Sequence, residues 1–285
     1  MNIITTVREL HNGLSEPVLK PLGLVPTMGA LHAGHVSLVK QAKNECPRVV
    51  VSIFVNPTQF NDKNDLKRYP RTPDADLALL KNHLAKDDIV FIPEEKEIYP
   101  EPDTRIFSFG NLDNVMEALH RPGHFNGVGQ VVSRLFGIVN PDKAYFGLKD
   151  FQQLAVIRSL VRQLDLKVNI IACPIIREPD GLAMSSRNRL LDDDTRKRAP
   201  VIYKTIAEAA VLFREKDVAE TKKYVNSCIN REKGFEVEYF EIVDDTELVP
   251  IVNRQEIKNE REYFACIAVR AGKIRLIDNV KIPLM

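Results

Sequence analysis

Through its first half the chain alternates apolar, β-branched runs with stretches of helical periodicity, and no other feature constrains the fold as much. Leu22 to Val25, Val49 to Val55, Asp88 to Ile92, Lys143 to Phe146 and Val168 to Ala172 read as strands. Val36 to Glu45, Pro73 to Leu84, Gly129 to Val139 and Phe151 to Leu164 read as the helices between them. Strands that are apolar on both faces need cover on both faces, which predicts an α/β fold with a parallel sheet. In such sheets ligands gather at the carboxyl ends of the strands. The sequence obeys that rule: the strands run into Pro26–His35, Asn56–Phe60, Gly147–Gln153, and Arg177 with Gly181–Asn188, all polar or glycine-rich.

The pattern changes near Arg187. Asp192 to Arg214 and Asp217 to Asn230 read as two helices, and Glu236 to Val243, Tyr263 to Arg270 and Arg275 to Asp278 alternate like antiparallel strands, with Ala271-Gly272-Lys273 as a hairpin turn. The expectation is a larger domain over 1–176 and a smaller α+β domain over 177–285, which a chain of 285 residues accommodates. A net charge of +1 gives no electrostatic footprint for nucleic acid or an anionic membrane. No apolar run approaches the ~20 residues that span a bilayer. Met1 to Leu10 lacks the basic and apolar regions of a signal peptide, so a cytoplasmic location is expected. Cys46, Cys173, Cys228 and Cys266 are scattered without a CxxC pair and read as reduced thiols.

The chemistry concentrates in Met28-Gly29-Ala30-Leu31-His32-Ala33-Gly34-His35, at a strand-to-helix junction. A helix N-terminus offers N–H groups to an anion, glycines allow close approach, and two imidazoles can donate to phosphate oxygens. No Gly-Lys-Ser/Thr follows, so this is not a Walker loop. A satisfied core pair or a metal site are the alternatives, and a metal would need a third ligand. Gly147-Leu148-Lys149-Asp150 places a cation at a second helix start, to hold a phosphate or leave a solvated lysine beside a capping aspartate. Gln59 and Gln153 are neutral amides suited to a small polar substrate. Met184-Ser185-Ser186-Arg187 offers hydroxyls and a guanidinium in a loop at the domain boundary, able to meet charge on departing pyrophosphate. Its plainer reading is that Ser186 caps a short helix. Arg121 to Gly129 reads as a flexible loop with His124 and Asn126 as ligand candidates. Asp74 and Asp76 begin a helix and read first as dipole partners, with Asp74 carried as a Mg²⁺ candidate. No covalent nucleophile stands out. These parts suit attack of a carboxylate or phosphate oxygen on the α-phosphorus of ATP.

Over essentially its whole length the chain resembles the pantothenate synthetase (pantoate–β-alanine ligase) family, through Pro26 to His35, Phe54 to Phe60, Tyr69 to Asp76, Arg121 to Val132, Tyr145 to Gln153 and Met184 to Leu190. The resemblance implies a Rossmann-like N-terminal domain, a smaller closing domain and a homodimer. It also implies a two-step reaction in which pantoate and MgATP give a pantoyl adenylate that β-alanine converts to pantothenate and AMP. By similarity, Met28 to His35, Gly147 to Asp150, Ile176 and Met184 to Arg187 form the ATP site. His32, His35, Lys149, Ser185, Ser186 and Arg187 take the catalytic roles, Gln59 and Gln153 bind pantoate, and Gln59 with Asn56 meets β-alanine. Phe151 stands where the family often has Tyr, and Leu148 where a charged residue is common. The competing readings are a nucleotidyltransferase acting on a phosphorylated substrate and a non-catalytic nucleotide-binding module.

Overall fold

In the computed structural model, which describes residues 1–15 and 20–283, every residue of the strand Arg48–Ile53 after the first is buried. Its side chains divide by the two-residue period of a strand. Val49 and Val51 enter one apolar cluster with Leu38, Val39 and Ala42 of the helix Ala33–Glu45. Val50 enters the other, with the helices His124–Val139 and Phe151–Gln163. Full burial of each such valine contributes ~1.5–3 kcal/mol, and this is why no polar residue interrupts the run before Ser52.

The sheet has six parallel strands: β1 (Asn2–Ile4), β2 (Leu22–Thr27), β3 (Arg48–Ile53), β4 (Ile89–Phe91), β5 (Lys143–Gly147) and β6 (Asn169–Cys173), in the order β1-β4-β3-β2-β5-β6. Strand order reverses between β2 and β5, which is where a ligand crevice belongs. These two strands pair only through Gly23 with Lys143 and Leu24 with Ala144. Beyond that pairing, Pro26, Thr27, Phe146 and Gly147 line a cavity.

The second sheet is antiparallel, with β7 (Phe235–Asp244), β8 (Tyr263–Ala271) and β9 (Ile274–Lys281) in that order, and Gly272 turns the last hairpin at φ 61. Helices Val201–Leu212 and Val218–Asn230 close its outer face in a separate core. Its inner face joins the first core through Val243, Phe264 and Cys266. Phe264 packs against Phe151 with ring centroids 4.3 Å apart, so the phenyl ring at that position has a packing role without a hydroxyl.

Several elements differ from the sequence reading. β1 and the helix Val7–Leu14 carry too short a pattern to be seen in advance. The single helix expected over 192–214 is two, Asp193–Arg198 and Val201–Leu212, because Pro200 has no N–H to continue the ladder. The loop expected before Gly129 is instead the first turns of the helix His124–Val139, launched by Gly123 at φ 80.

Candidate active site

The histidine loop is held from outside by a carboxylate. After β2, Gly29 and Ala30 both take left-handed backbone, at φ 78 and 49. This turns their peptide groups toward Asp76, whose Oδ2 accepts from Ala30 N at 2.9 Å and whose Oδ1 accepts from Leu31 N at 2.8 Å. Thr72 Oγ1 donates to the same carboxylate at 3.1 Å. Asp76 is buried, whereas Asp74, the metal candidate, is exposed and lies outside the cavity lining.

His32 is the N-cap of the helix Ala33–Glu45: its Nδ1 accepts from Gly34 N at 3.1 Å, and His35 Nδ1 accepts from His32 N at 3.3 Å. The ring can fold back only because residue 34 has no side chain; a Cβ there would sit 2.8 Å from His32 Cε1. The two rings lie 4.1 Å apart at 45°. With both Nδ1 atoms accepting, each proton resides on Nε2. Burial pushes the His32 pKa down to about 4, assisted by the charges of Lys149 and Arg189. Burial and the neighbouring His32 push His35 down to about 3. The pair is therefore neutral at pH 7 and presents N–H donors. The backbone cradle expected of this loop is largely absent, since the amides of Ala30, Leu31, His32 and Gly34 all have internal partners.

One cavity of about 200 Å³ collects most of the predicted residues: Met28, His32, Gly34 and His35 from the first loop; Asn56, Gln59 and Gln153; Gly147, Lys149 and Asp150; and Ile176, Met184, Ser185, Ser186 and Arg187. Gly29, Ala30, Leu31, Ala33 and Leu148 do not line it; they shape the loops. Leu148 N donates to Cys173 O at 2.8 Å, which ties its loop to β6. Lys149 Nζ stands 3.5 Å from Asp150 Oδ1. Met184 N donates to Ile176 O at 3.0 Å, bringing those two residues side by side.

At the far end Gln59 is buried, its Nε2 against the Met28 sulfur at 2.7 Å. Asn56 supports it from behind: its Nδ2 donates to Gly127 O at 3.1 Å and reaches Gln59 Oε1 at 3.4 Å, while its Oδ1 accepts from Tyr99 OH at 2.9 Å. Asn56 also lines the cavity, with its amide engaged by these bonds. Gln153 has no protein partner for its side chain among the described residues, whereas Gln152 is committed to Glu117 N, Leu112 O and Val115 O. Val128, Val131, Val132 and Phe54 form an apolar wall beside the two amides. That wall depends on Gly127, because a Cβ there would meet Thr58 O at 2.3 Å.

The boundary loop is capped by Ser185, which accepts from Arg187 N at 3.3 Å, and not by Ser186. Ser186 is buried, 3.4 Å from Tyr69 OH. Arg187 pairs with Asp65 at 3.0 Å and lies over the Tyr69 ring. Arg189 was not anticipated; its Nη2 donates to Leu31 O at 3.3 Å and fastens this loop onto the histidine loop. Asn126 accepts from Phe107 N at 2.8 Å and does not line the cavity. His124 donates from Nδ1 to Gln59 O at 2.8 Å, and burial, with the nearby Arg121 charge, lowers its pKa to about 3. Among the described residues no group of three or more His, Cys, Asp or Glu could hold a metal ion.

The sequence model of the family described as pantoate-beta-alanine ligase matches residues 2–281. A pantothenate synthetase of Porphyromonas gingivalis is 52% identical over 283 residues, 99% of each chain, and one of Phocaeicola vulgatus is 53% identical over 284 residues, 99% of each. The crystal structure of pantothenate synthetase from Thermus thermophilus superposes with a TM-score of 0.91 at 40% identity over the whole of both chains. That of the Francisella tularensis pantoate-beta-alanine ligase, complexed with beta-gamma ATP and beta-alanine, superposes at 0.80 and 36% identity, covering 100% of this chain and 99% of its own. The chain belongs to the pantoate–β-alanine ligase family.

Proposed function

We infer that the protein joins pantoate to β-alanine in two steps within this cavity. The observation that carries the reading is its division: neutral imidazole donors and Lys149 at one end, two amides beside an apolar wall at the other. Pantoate presents a carboxylate, hydroxyls and geminal methyls, which suit Gln59, Gln153 and the Val128–Val132 wall. A carboxylate oxygen of pantoate attacks the α-phosphorus of ATP, and the bond to the β-phosphate oxygen breaks. His32 and His35 Nε2–H, with Lys149, stabilise the charge that gathers on pyrophosphate. The β-alanine nitrogen, freed of its ammonium proton to solvent, attacks the acyl carbon, the bond to AMP breaks, and the second proton leaves to solvent as the amide forms.

Asp150 is the single carboxylate lining the cavity among the described residues. That donor set fits a Mg²⁺ that arrives with the nucleotide, since this ion is commonly held by one carboxylate, substrate phosphates and water. When bound it would neutralise phosphate charge, with Asp150 the residue to hold it. The 177–285 unit serves as the lid, its Ser185–Arg187 segment bordering the phosphates. Four free cysteines suit a reducing, cytoplasmic setting, and no helix of the described residues is long and apolar enough to cross a membrane. A homodimer, implied by the family resemblance, predicts twice the 32.3 kDa chain mass in light scattering.

The test is to supply ATP, Mg²⁺, pantoate and β-alanine and follow each product. Pyrophosphate should require pantoate, and rapid AMP release should require β-alanine as well. Pyrophosphate formed without pantoate, or never formed with it, overturns the reading.

A further inference from the structure

Lys149 stands on the short turn that leads from β5 into the helix Phe151–Gln163. The N–H side of this turn is tied to the parallel sheet: Leu148 N donates to Cys173 O at 2.8 Å, and Asp150 N closes back on Gly147 O at 3.3 Å. The carbonyl side is held from the antiparallel sheet. Asn279 of β9 is buried, and its Nδ2 donates to Leu148 O at 2.8 Å and to Lys149 O at 3.2 Å. These oxygens belong to the two peptide groups on either side of the Lys149 Cα. One amide therefore fixes both planes between which the lysine side chain leaves the backbone, and the planarity of the peptide group passes that constraint to its Cα–Cβ bond.

Asn279 is itself held in register. Asp278, also buried, accepts from Asn279 N at Oδ1, 2.8 Å away. Arg177 forks onto this carboxylate, Nη1 to Oδ2 at 2.6 Å and Nη2 to Oδ1 at 3.0 Å, and Nη2 reaches Asn279 O at 3.3 Å. The same guanidinium lies 3.6 Å from the centroid of the Tyr203 ring and donates to Gly181 O at 3.2 Å. It thus grips the turn 177–183, closed by the bridge between Arg177 and Ala183, whose next residues are Met184–Arg187. None of Arg177, Asp278 and Asn279 lines the main cavity. Together they nevertheless join the two loops that put a cation there, one carrying Lys149 and the other Arg187.

We infer that Asn279 is a positioning residue for Lys149, and that Arg177 and Asp278 keep it in register, so that the Lys149 ammonium and the Arg187 guanidinium meet departing pyrophosphate at a fixed spacing. The inference rests on the ligase reading and deepens it: the antiparallel sheet contributes to the first step through the backbone of a loop, without touching substrate. A buried ion pair adds little net stability over apolar residues of the same shape, and register is the best-attested use of one. A lysine needs such support more than an arginine would, because its ammonium sits on a flexible four-carbon stem without a fork to orient it.

The experiment is a double-mutant cycle between Asn279→Ala and Lys149→Ala in the full-length enzyme, read by the pantoate-dependent burst of pyrophosphate in a single turnover at saturating ATP. With Lys149 present, Asn279→Ala should slow the burst by about 10–10²-fold, the scale of a misplacement of up to 1 Å, with half-saturation by pantoate near that of the parent. With Lys149 already removed, Asn279→Ala should slow it by about 2-fold or less, because no ammonium remains to be placed. The urea midpoint, by contrast, should fall by the same amount in both backgrounds. Arg177→Lys keeps a charge opposite Asp278 and loses the fork. It should show a smaller loss with the same dependence on Lys149, and it carries the cycle if the alanine variant does not fold. Equal fold-losses in the two backgrounds would mean that Asn279 only stabilises the fold; they overturn the inference, as does an unchanged burst, while the ligase reading stands. Absence of pantoate-dependent pyrophosphate from the parent enzyme would sink that reading, and this inference with it.

Discussion

Asp76 offers the sharpest test of how the site is built, because none of its hydrogen-bond partners lines the cavity and yet it sets the histidine loop. Two backbone amides and one hydroxyl converge on it. Replacing it with asparagine keeps the shape and turns one acceptor oxygen into a donor NH2. That group then faces either Ala30 N or Leu31 N, donor against donor. One charge-assisted hydrogen bond is lost and one buried N–H is left unsatisfied, a cost of about 2–4 kcal/mol. The loop has an inexpensive way to relax, since Ala30 at φ 49 is itself unfavourable for a residue with a side chain. Relaxation would carry His32 and His35 away from the phosphates, and a misplacement of about 1 Å costs on the order of 10² in rate. Asp76→Asn should therefore lower both urea stability, by about 2–4 kcal/mol, and pantoate-dependent pyrophosphate release, by about 10²-fold. Raising Mg²⁺ should restore neither. Unchanged stability and rate would refute the argument, and rescue by Mg²⁺ would replace it with a metal-ligand role.

Other expectations follow from the same geometry. His35→Ala should reduce turnover by about 10²–10³, the scale for one transition-state donor, and lower the urea midpoint modestly because His32 N loses its acceptor; full activity would remove His35 from the reaction. Gln153→Ala should raise KM for pantoate with little change for ATP, whereas Gln59→Ala should weaken both pantoate and β-alanine, as measured by initial rates. Equal losses for ATP and pantoate would mark either residue as structural. The buried histidines also set an acid limit. Their folded pKa values, about 4 for His32 and about 3 for His35 and His124, lie below the ordinary histidine value of 6.5. Below about pH 6.5 the unfolded chain thus binds protons that the native one refuses, and each histidine contributes a loss of up to ~1.4 kcal/mol per pH unit. Glu117, which Arg275 and Arg121 hold down to about 2 against its burial, loses stability in the same direction below its ordinary value of 4.5. Urea midpoints should fall steadily from about pH 7 to about pH 4; a flat profile would mean that these rings are solvated.

Periodicity makes the central sheet legible, because burial on both faces leaves a continuous apolar run, and strand-end position makes the polar clusters legible. What escapes is whatever depends on a partner distant in the chain. Gly123, Gly127 and Gly129 weaken the local helix signal before residue 130, yet Gly127 is needed there for the close approach to Thr58. Asp76 looks locally like an ordinary helix-start carboxylate; its partners are 45 and 46 residues away. Asn56 and Gln59 carry equal weight as amides in the sequence, and only the structure shows Asn56 tied to Gly127 and Tyr99.

These internal commitments bear on how charge is handled during catalysis. A phosphate loop that used its own amides would meet the nucleotide with fixed dipoles. Here Asp76 and the two Nδ1 atoms take those amides, so the anion must be met by side chains. Neutral Nε2–H donors hold phosphate less tightly than two imidazolium ions would, which favours release of pyrophosphate. Their low pKa arises first from burial and then from neighbouring charge, and an arriving polyanion offsets the charge but leaves the rings buried. The pair is thus set to meet the phosphates as neutral N–H donors rather than as imidazolium ions.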